Sequence, residues 1–391
     1  MTKLIRITTV PVSLKGLLKG QLKFMSENGY EVIGISSQGE ALLDVANNEG
    51  VRVIPVEMTR TISPIKDLKS VWQLYKILKK EKPFIVHTHT PKAGTVGMFA
   101  AKLAKVPHRL HTIAGLPLLE ATGFKRKILN FVEKATYFCA TKIYPNSFEL
   151  EKIILKNKFC SKNKLKVIAN GSSNGIDTIY FSNSQISELQ KKSLKQELNI
   201  SENDTVFCFI GRLVKDKGIN ELVTAFSSLS RLLSAVTERS RRQIKLLLVG
   251  NYESELDPLL PETEQEIENN PNIIFVDYQK DVRPYLAISD IFVFSSYREG
   301  FPNVVMQAGA MELPSIVTDI NGCNEIITDG INGLIIPPKN KKILQEKMLL
   351  LLENLELRNK LKSNTREMIT SRYEQKMVWE ALLEEYRSLE K

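Results

Sequence analysis

Ser295-Ser-Tyr-Arg-Glu-Gly-Phe-Pro-Asn-Val-Val-Met-Gln-Ala-Gly-Ala-Met-Glu-Leu-Pro314 follows directly on Asp290-Ile-Phe-Val-Phe294. The run before it is short, continuous and apolar, as a parallel strand buried on both faces should be. Pro302 and Asn303 predict a helix start, since proline suits the first turn and asparagine can cap. A helix that begins at the carboxyl end of a parallel strand aims unpaired N–H groups and its positive dipole end at the crevice, where a diphosphate can sit. Glu299 stands beside that anion site, better placed to accept hydrogen bonds from hydroxyl groups than to bind phosphate. A sugar carried on a nucleoside diphosphate meets both demands.

Outward from this stretch, short apolar strands alternate with helical segments. In the first half they are Leu4 to Thr8, Glu31 to Ile35, Val51 to Pro55, Ile85 to His87 and Arg109 to Thr112. The rhythm restarts at Val206 to Ile210, Ile244 to Val249, Ile273 to Phe275, Ile291 to Phe294 and Ser315 to Thr318. Such βαβα alternation predicts doubly wound parallel sheets, so the fold class is α/β with two Rossmann-like domains in succession. The length of 391 residues also exceeds one ordinary core. Asn170-Gly-Ser-Ser-Asn-Gly-Ile-Asp177 is rich in turn formers and marks the linker, giving domains of residues 1–170 and 171–372. A hinge there would let the two carboxyl strand edges close over a shared cleft. Residues 227–243 extend a helix into a basic surface connection, and Tyr373 to Leu389 carries apolar residues at helical intervals.

Composition is that of a soluble α/β enzyme, with 43% hydrophobic and 25% charged residues. No apolar run reaches the roughly 18 to 20 residues that cross a bilayer, and the amino terminus reads as a first strand rather than a signal peptide. Cys139, Cys160, Cys208 and Cys323 lie far apart without zinc-like spacing, which suggests buried thiols in a reducing cytosol. Charge is uneven. Residues 1–170 hold 28 Lys and Arg against 12 Asp and Glu, a net of +16, which leaves −6 for the rest of a chain of net +10. A basic first half could face nucleic acid or an anionic membrane. No RNA-reading aromatic motif or DNA-reading helix accompanies it, so an anionic membrane surface is expected and nucleic acid is not. A solvated basic surface is the plain alternative.

Glu299-Gly-Phe-Pro with the small-residue helix Ala308-Gly-Ala-Met, and Gly211-Arg-Leu-Val-Lys-Asp-Lys-Gly218 upstream, resemble the donor half of a GT-B glycosyltransferase. The resemblance is to the retaining family 4, glycosyl transferases group 1, in its bacterial capsule and O-antigen branch. It covers essentially the whole chain, from His87-Thr-His-Thr-Pro-Lys-Ala-Gly94 to the last helix. It implies that Arg212 and Lys217 grip the diphosphate of a nucleotide sugar and that Glu299 orients the sugar. Donor contacts would come from Gly211, Gly300, Phe301, Pro302, Asn303, Val304 and Gln307. It also implies that residues 373–391 form a helix packing back on the first domain. Charge grows on the departing diphosphate as the glycosidic bond breaks, and cations must stabilise it. The chain contains no Asp-x-Asp metal motif, so Arg212 and Lys217 are expected to do this without a metal or other cofactor.

Two departures from the family pattern stand out. Gln307 occupies the place of a second glutamate, eight positions after Glu299, that binds ribose hydroxyls; an amide can accept one and donate to another. In Leu110-His-Thr-Ile-Ala-Gly-Leu-Pro117 the position of a common donor-sugar histidine holds Ala114, and His111 is three residues too early, which leaves the general base open. His87 and His89 point the same way from a strand end; with few other ligands at hand they are expected, with Lys92, to line the acceptor side rather than bind a metal. The loop Pro11 to Gly20, with Gly16 and Gly20, is expected beside them. Segment 123–142 mixes cations with bulky apolar residues at helical spacing, fit either for a headgroup layer or for its own core.

The expectation is a cytosolic transferase, peripheral on the inner face of the plasma membrane. It would move a sugar from a nucleotide donor, read as a UDP-sugar, with retention onto a polyprenyl-diphosphate-linked saccharide. The rivals are a GT-B nucleotide-sugar epimerase and a sugar-nucleotide binder that has lost catalysis. A nicotinamide dehydrogenase is disfavoured, because no Gly-x-Gly-x-x-Gly follows a strand.

Overall fold

The computed structural model describes residues 1–59, 61, 63–116, 118, 121–236, 243–253, 255 and 257–391. The chain forms two compact units, Met1–Gly175 with Gln375–Lys391, and Ile176–Glu374.

The first unit runs β1 (Thr2–Ile7), α1 (Pro11–Leu17), α2 (Gln21–Glu27), β2 (Tyr30–Ser36), α3 (Glu40–Glu49), β3 (Arg52–Pro55), α4 (Pro64–Glu81), β4 (Ile85–His89), α5 (Pro91–Leu103), β5 (His108–Ile113), α6 (Gly123–Cys139), β6 (Lys142–Pro145) and α7 (Phe148–Lys156). Its six strands are parallel in the order β3-β2-β1-β4-β5-β6, so the winding reverses between β1 and β4. One face of this sheet packs Leu74, Leu78, Val96, Ala100 and Tyr137 from α4, α5 and α6. The other buries Leu14, Leu18, Leu22 and Leu42 from the first helices.

The second unit runs α8 (Glu188–Glu197), β7 (Thr205–Ile210), α9 (Ile219–Val236), β8 (Ile244–Val249), α10 (Pro261–Asn269), β9 (Ile273–Val276), α11 (Arg283–Ala287), β10 (Ile291–Phe294), α12 (Asn303–Ala310), β11 (Ser315–Thr318), α13 (Cys323–Ile326), β12 (Gly333–Ile336), α14 (Lys341–Glu353) and α15 (Leu355–Tyr373). Its order, β12-β11-β10-β7-β8-β9, is the same doubly wound pattern, with the reversal between β7 and β10. β7, β8 and β10 are buried along their whole length, which is why they read as near-continuous apolar runs, interrupted by Lys245 in β8, rather than alternating ones. The last helix, α16 (Gln375–Ser388), belongs to the first unit.

Three details differ from the sequence reading. The first boundary falls at 175 rather than 170, because the turn-rich segment is tied to the first unit: Ser172 N–H donates to Asn146 O at 2.8 Å and the Asn174 amide to Lys19 O at 3.0 Å. The second falls at 374, because Tyr373 is anchored in the second unit, its hydroxyl on Glu325 O at 2.9 Å and its ring 5.3 Å from Phe301. The stretch Pro11 to Gly20 is not a loop. Pro11 opens α1, Leu14, Leu18 and Leu22 bury at four-residue spacing, and Gly16 sits exposed inside the helix. α9 covers the expected helix from 227 to Val236, and the basic residues 237–242 after it lie outside the described residues.

Candidate active site

In the second unit, the loops leaving the carboxyl ends of β7 and β10 meet at the point where the strand order reverses, the place where open α/β sheets bind ligands. They are stitched together by backbone. Tyr297 N–H donates to Asp216 O at 2.9 Å, and the Ser295 hydroxyl reaches Lys217 O and Gly218 O, both at 3.0 Å. Gly218 makes this approach possible: its φ is +68°, and a Cβ there would lie 2.1 Å from Ser295 O.

The stitching brings Lys217 and Glu299 together as an ion pair, with both side chains less than a fifth exposed, at 16% and 18%. The Lys217 ammonium also lies 5.7 Å from the centre of the Phe294 ring. The Ser296 hydroxyl donates to the Glu299 carboxylate at 3.2 Å, and the Asn321 amide holds Glu299 O and Gly300 O at 3.0 and 2.5 Å. The Glu-Gly turn is therefore fixed before α12 begins. Here the structure corrects the helix start by one residue. Pro302 is the cap position and Asn303 the first helical residue, so asparagine is past the place from which it could cap. The helix start has no side-chain cap, and its leading N–H groups suit an anion. Asn303, Val304 and Gln307 lie on the outward side of this first turn, whereas Phe301 and Pro302 are buried beneath it.

Arg212 lies apart from that pair. It is bonded to Glu253, is half-exposed, and lines a cavity of about 340 Å³ with Gly211, Gly250, Asn251, Tyr278 and Gln279. A Cβ on Gly250 would lie 1.9 Å from Gly211 O, so glycine is required where these strand ends converge. Gly250, Asn251 and Tyr278 were not singled out from sequence, although the Gly-Asn step directly after Ile244 to Val249 is a signal of a strand-end crevice. Each expected phosphate-binding cation thus carries a carboxylate partner of its own. Among the described residues no three His, Cys, Asp or Glu side chains gather to hold a metal ion. The cysteines are unpaired, and burial pushes the Cys160 and Cys208 thiols up to about 11 and about 12, which keeps them protonated.

The first unit carries its own crevice where β1 and β4 part. Thr9 and Thr90 hydroxyls bond at 2.8 Å across it, and Thr90, the residue before α5, is held at φ +73°. His87 is buried, with Nδ1 on the Tyr386 hydroxyl at 2.6 Å and Nε2 on the Thr112 hydroxyl at 2.7 Å. Both its nitrogens are used, so it is tied to α16, and its ring still lines a small cavity together with His89. Lys92 is ion-paired with Asp67 at 2.5 Å, and Gly20 packs under the Trp379 ring, where a Cβ would lie 2.5 Å from the ring edge. Of the expected acceptor residues, Gly16 is exposed on α1, Gly20 and Lys92 are engaged by Trp379 and Asp67, and His87 and His89 line one small cavity together.

His89 is different, and it has a partner that sequence reasoning missed. Arg6, wholly buried in β1, donates to His89 Nε2 from Nε at 3.1 Å and from Nη2 at 2.9 Å, and to the Gln21 amide oxygen at 2.5 Å. No carboxylate among the described residues pairs with it, and its Nη1 and His89 Nδ1 are both buried without a hydrogen-bond partner. Because Nε2 accepts from Arg6, the ring proton of neutral His89 is on Nδ1. His89 also lines a cavity of about 20 Å³ with Thr112, Asn146 and Ser172, room for roughly one water-sized group. The result is a pair of unsatisfied donors, suited to an acceptor oxygen. A lone arginine within an apolar strand was visible in sequence, but that alone does not say that the side chain faces inward. Burial holds His87 and His89 well below the usual imidazole range, with the Arg6 charge adding to it, and brings His111 down to about 4. His111 bonds Thr88 and packs so closely on α5 that a Cβ at Gly94 would lie 2.3 Å from its ring. It is a core residue.

Comparison with known proteins covers both units. Residues 190–368 match the family described as Glycosyl transferases group 1, and residues 13–147 match that described as Glycosyl transferase 4-like. The chain is 33% identical over 388 residues to the capsular polysaccharide biosynthesis glycosyltransferase CapM of Staphylococcus aureus, covering 99% of this chain and 97% of that one. It is 29% identical over 343 residues to the Escherichia coli UDP-Gal:alpha-D-GlcNAc-diphosphoundecaprenol alpha-1,3-galactosyltransferase, covering 85% and 84%. Among solved structures, Anabaena Alr3699/HepE in complex with UDP and glucose superposes with a TM-score of 0.81 at 17% identity, over 99% of this chain and 100% of that one, a likeness of fold. With two doubly wound units and a relative aligned from end to end, the chain belongs to the group 1, family 4-like glycosyl transferases of the GT-B fold.

Proposed function

We propose that this glycosyltransferase moves a sugar from a nucleoside diphosphate, most simply UDP, onto a saccharide carried on a polyprenyl diphosphate during surface-polysaccharide assembly, with retention of anomeric configuration. The observation that carries the reading is the convergence of Lys217, Glu299 and the uncapped start of α12 at the β7/β10 reversal. The capsular polysaccharide biosynthesis named for one relative and the diphosphoundecaprenol acceptor named for the other support the acceptor class.

In this mechanism the diphosphate lies against the α12 start, shares the Lys217 ammonium with Glu299, and meets Arg212 at its edge. Glu299, freed in part from its ion pair, accepts hydrogen bonds from sugar hydroxyls. As the anomeric C–O bond breaks, its electron pair passes to the leaving phosphate oxygen, where Lys217 and the helix N–H groups stabilise the charge. The acceptor hydroxyl attacks from the same face and its proton passes to that phosphate. Nucleoside diphosphate leaves, and no protein base is required. The cavity beside Arg212, Gly250 and Tyr278 is of a size for the nucleoside. In the first unit, the unpartnered donors of Arg6 and His89 suit an acceptor oxygen. The chain would work in the cytoplasm at the inner membrane face.

The test is alanine substitution of Lys217 and of Arg212, assayed with a UDP-sugar panel, a lipid-linked acceptor and EDTA. The reading expects turnover to fall by about 100-fold or more with an unchanged melting temperature. Near-normal turnover in both variants would overturn it, and loss of transfer by the wild type on adding EDTA would overturn metal independence.

A further inference from the structure

Three helices on one face of the first sheet turn large apolar side chains to solvent. α4 packs on α5, and α5 on α6. On α6, Phe124, Phe131 and Phe138 recur every seven residues and are 77%, 73% and 72% exposed, while Thr136, Tyr137 and Cys139 face the sheet. An apolar stripe at this spacing normally packs on its own core, and here it points away from it. At about 200 Å² per ring, these three side chains alone expose on the order of 400 Å², as much as the largest apolar patch of an ordinary monomer.

The stripe does not stand alone. The Lys102 ammonium of α5 lies 3.4 Å from the centre of the Phe138 ring. Leu103, one residue on, joins Ile65, Leu68 and Trp72 of α4 around an apolar groove of about 510 Å³. The exposed side chains between these groups are cationic: Lys66, Lys69 and Lys76 on α4, and Lys125, Lys127 and Lys134 on α6. From Pro64 to Cys139 the chain carries 14 Lys and Arg against 4 Asp and Glu. Rings interleaved with ammonium groups fit the boundary between anionic headgroups and acyl chains, where each finds its own solvent. A second copy of this face would instead set two strongly cationic surfaces against each other.

We propose that the α4–α5–α6 face docks the protein on an anionic lipid bilayer, with Phe124, Phe131, Phe138 and Trp72 entering the headgroup–acyl boundary and the lysines pairing with lipid phosphates. It rests on the lipid-linked acceptor of the proposed function only for its purpose, since that acceptor resides in such a bilayer.

The test is co-sedimentation of the full chain with phosphatidylcholine vesicles, with and without phosphatidylglycerol, for the wild type and for F124S/F131S/F138S. The substituted side chains are exposed, so the variant keeps its melting temperature. The wild type is expected to bind the anionic vesicles in a salt-sensitive way. The triple variant should bind about 100-fold more weakly or less still. Lys125→Gln with Lys127→Gln and Lys134→Gln should remove the preference for phosphatidylglycerol. Lipids brominated on the acyl chain should quench Trp72, read against Trp72→Phe, which leaves Trp379 as the remaining tryptophan. Equal binding by the triple variant, no preference for anionic lipid, or concentration-dependent dimers that bury Trp72 would each overturn the proposal. Transfer to a soluble short-chain acceptor is read in parallel and should be unchanged in the triple variant. Its failure in the wild type would count against the proposed function and leave the docking face standing on the vesicle result.

Discussion

Lys217 and Glu299 form one ion pair, so their contributions to activity should be coupled rather than independent. Lys217→Ala is expected to lower kcat/KM by about 100-fold to 1,000-fold, and Glu299→Ala by a similar order, while the double variant costs much less than the product. Strict multiplicativity in a double-mutant cycle would mean that the two never meet in the working enzyme. These residues were legible in sequence because punctuation surrounds them: the glycines of Gly211 to Gly218 and the Gly-Phe-Pro turn mark strand ends. Arg6 was not legible. Nothing in Leu4 to Thr8 says that the arginine faces inward, and its role depends on His89 and Gln21, brought to it by the packing of β4 and α2. The tie between His87 and Tyr386 was hidden for the same reason, since Tyr386 lies at the far end of the chain.

At the scale of elements, the donor loop depends on a backbone approach that no side chain tolerates. Gly218→Ala places a Cβ against Ser295 O at a positive φ, and is expected to cost about 2 kcal/mol or more in stability and to weaken nucleotide binding together with it. Urea melts of the variant with nucleotide titration check both; an unchanged midpoint would show that the loop has slack. α16 is the second dependence. Val378, Leu382, Leu383 and Tyr386 are buried in the first unit, and Tyr386 satisfies His87. Truncation after Glu374 should therefore expose the core under α1 and α2 and leave an insoluble or readily proteolysed first unit, with the second unit still folded. Strand rhythm made five strands of each sheet readable, because buried parallel strands are largely apolar runs, but the edge strands β6 (Lys142–Pro145) and β12 (Gly333–Ile336) went unread. Helices were harder. α1 was hidden by Gly16 and Gly20, which read as loop, and the aromatic stripe of α6 has the same spacing whether it faces core or solvent.

For the whole molecule, the distribution of histidines separates the two units in acid. All four, His87, His89, His108 and His111, lie in the first unit, and burial lowers each below the usual imidazole range. A histidine kept neutral on folding binds its proton more readily when unfolded. The stability it contributes is complete above about pH 6.5 and is lost as pH falls toward the folded value. For His111 the window runs from the ordinary value to about 4 and amounts to about 3 kcal/mol. Calorimetry between pH 7 and pH 5 should show the first unit melting earlier while the second holds; a parallel decline of both would contradict this. The charge asymmetry between the halves was visible in composition, but the face that carries it was not, because which lysines stand beside exposed rings is settled only by helix packing. The central claim is the transfer reaction. Purified protein is incubated with UDP-, GDP- and dTDP-sugars and bacterial lipid-linked oligosaccharide in EDTA, and lipid and nucleotide are read by mass spectrometry. The account predicts one added sugar mass on the lipid, matched by release of nucleoside diphosphate, and loss of both in Lys217→Ala. A sugar nucleotide isomerised without acceptor, or bound with no transfer from any donor, would contradict it.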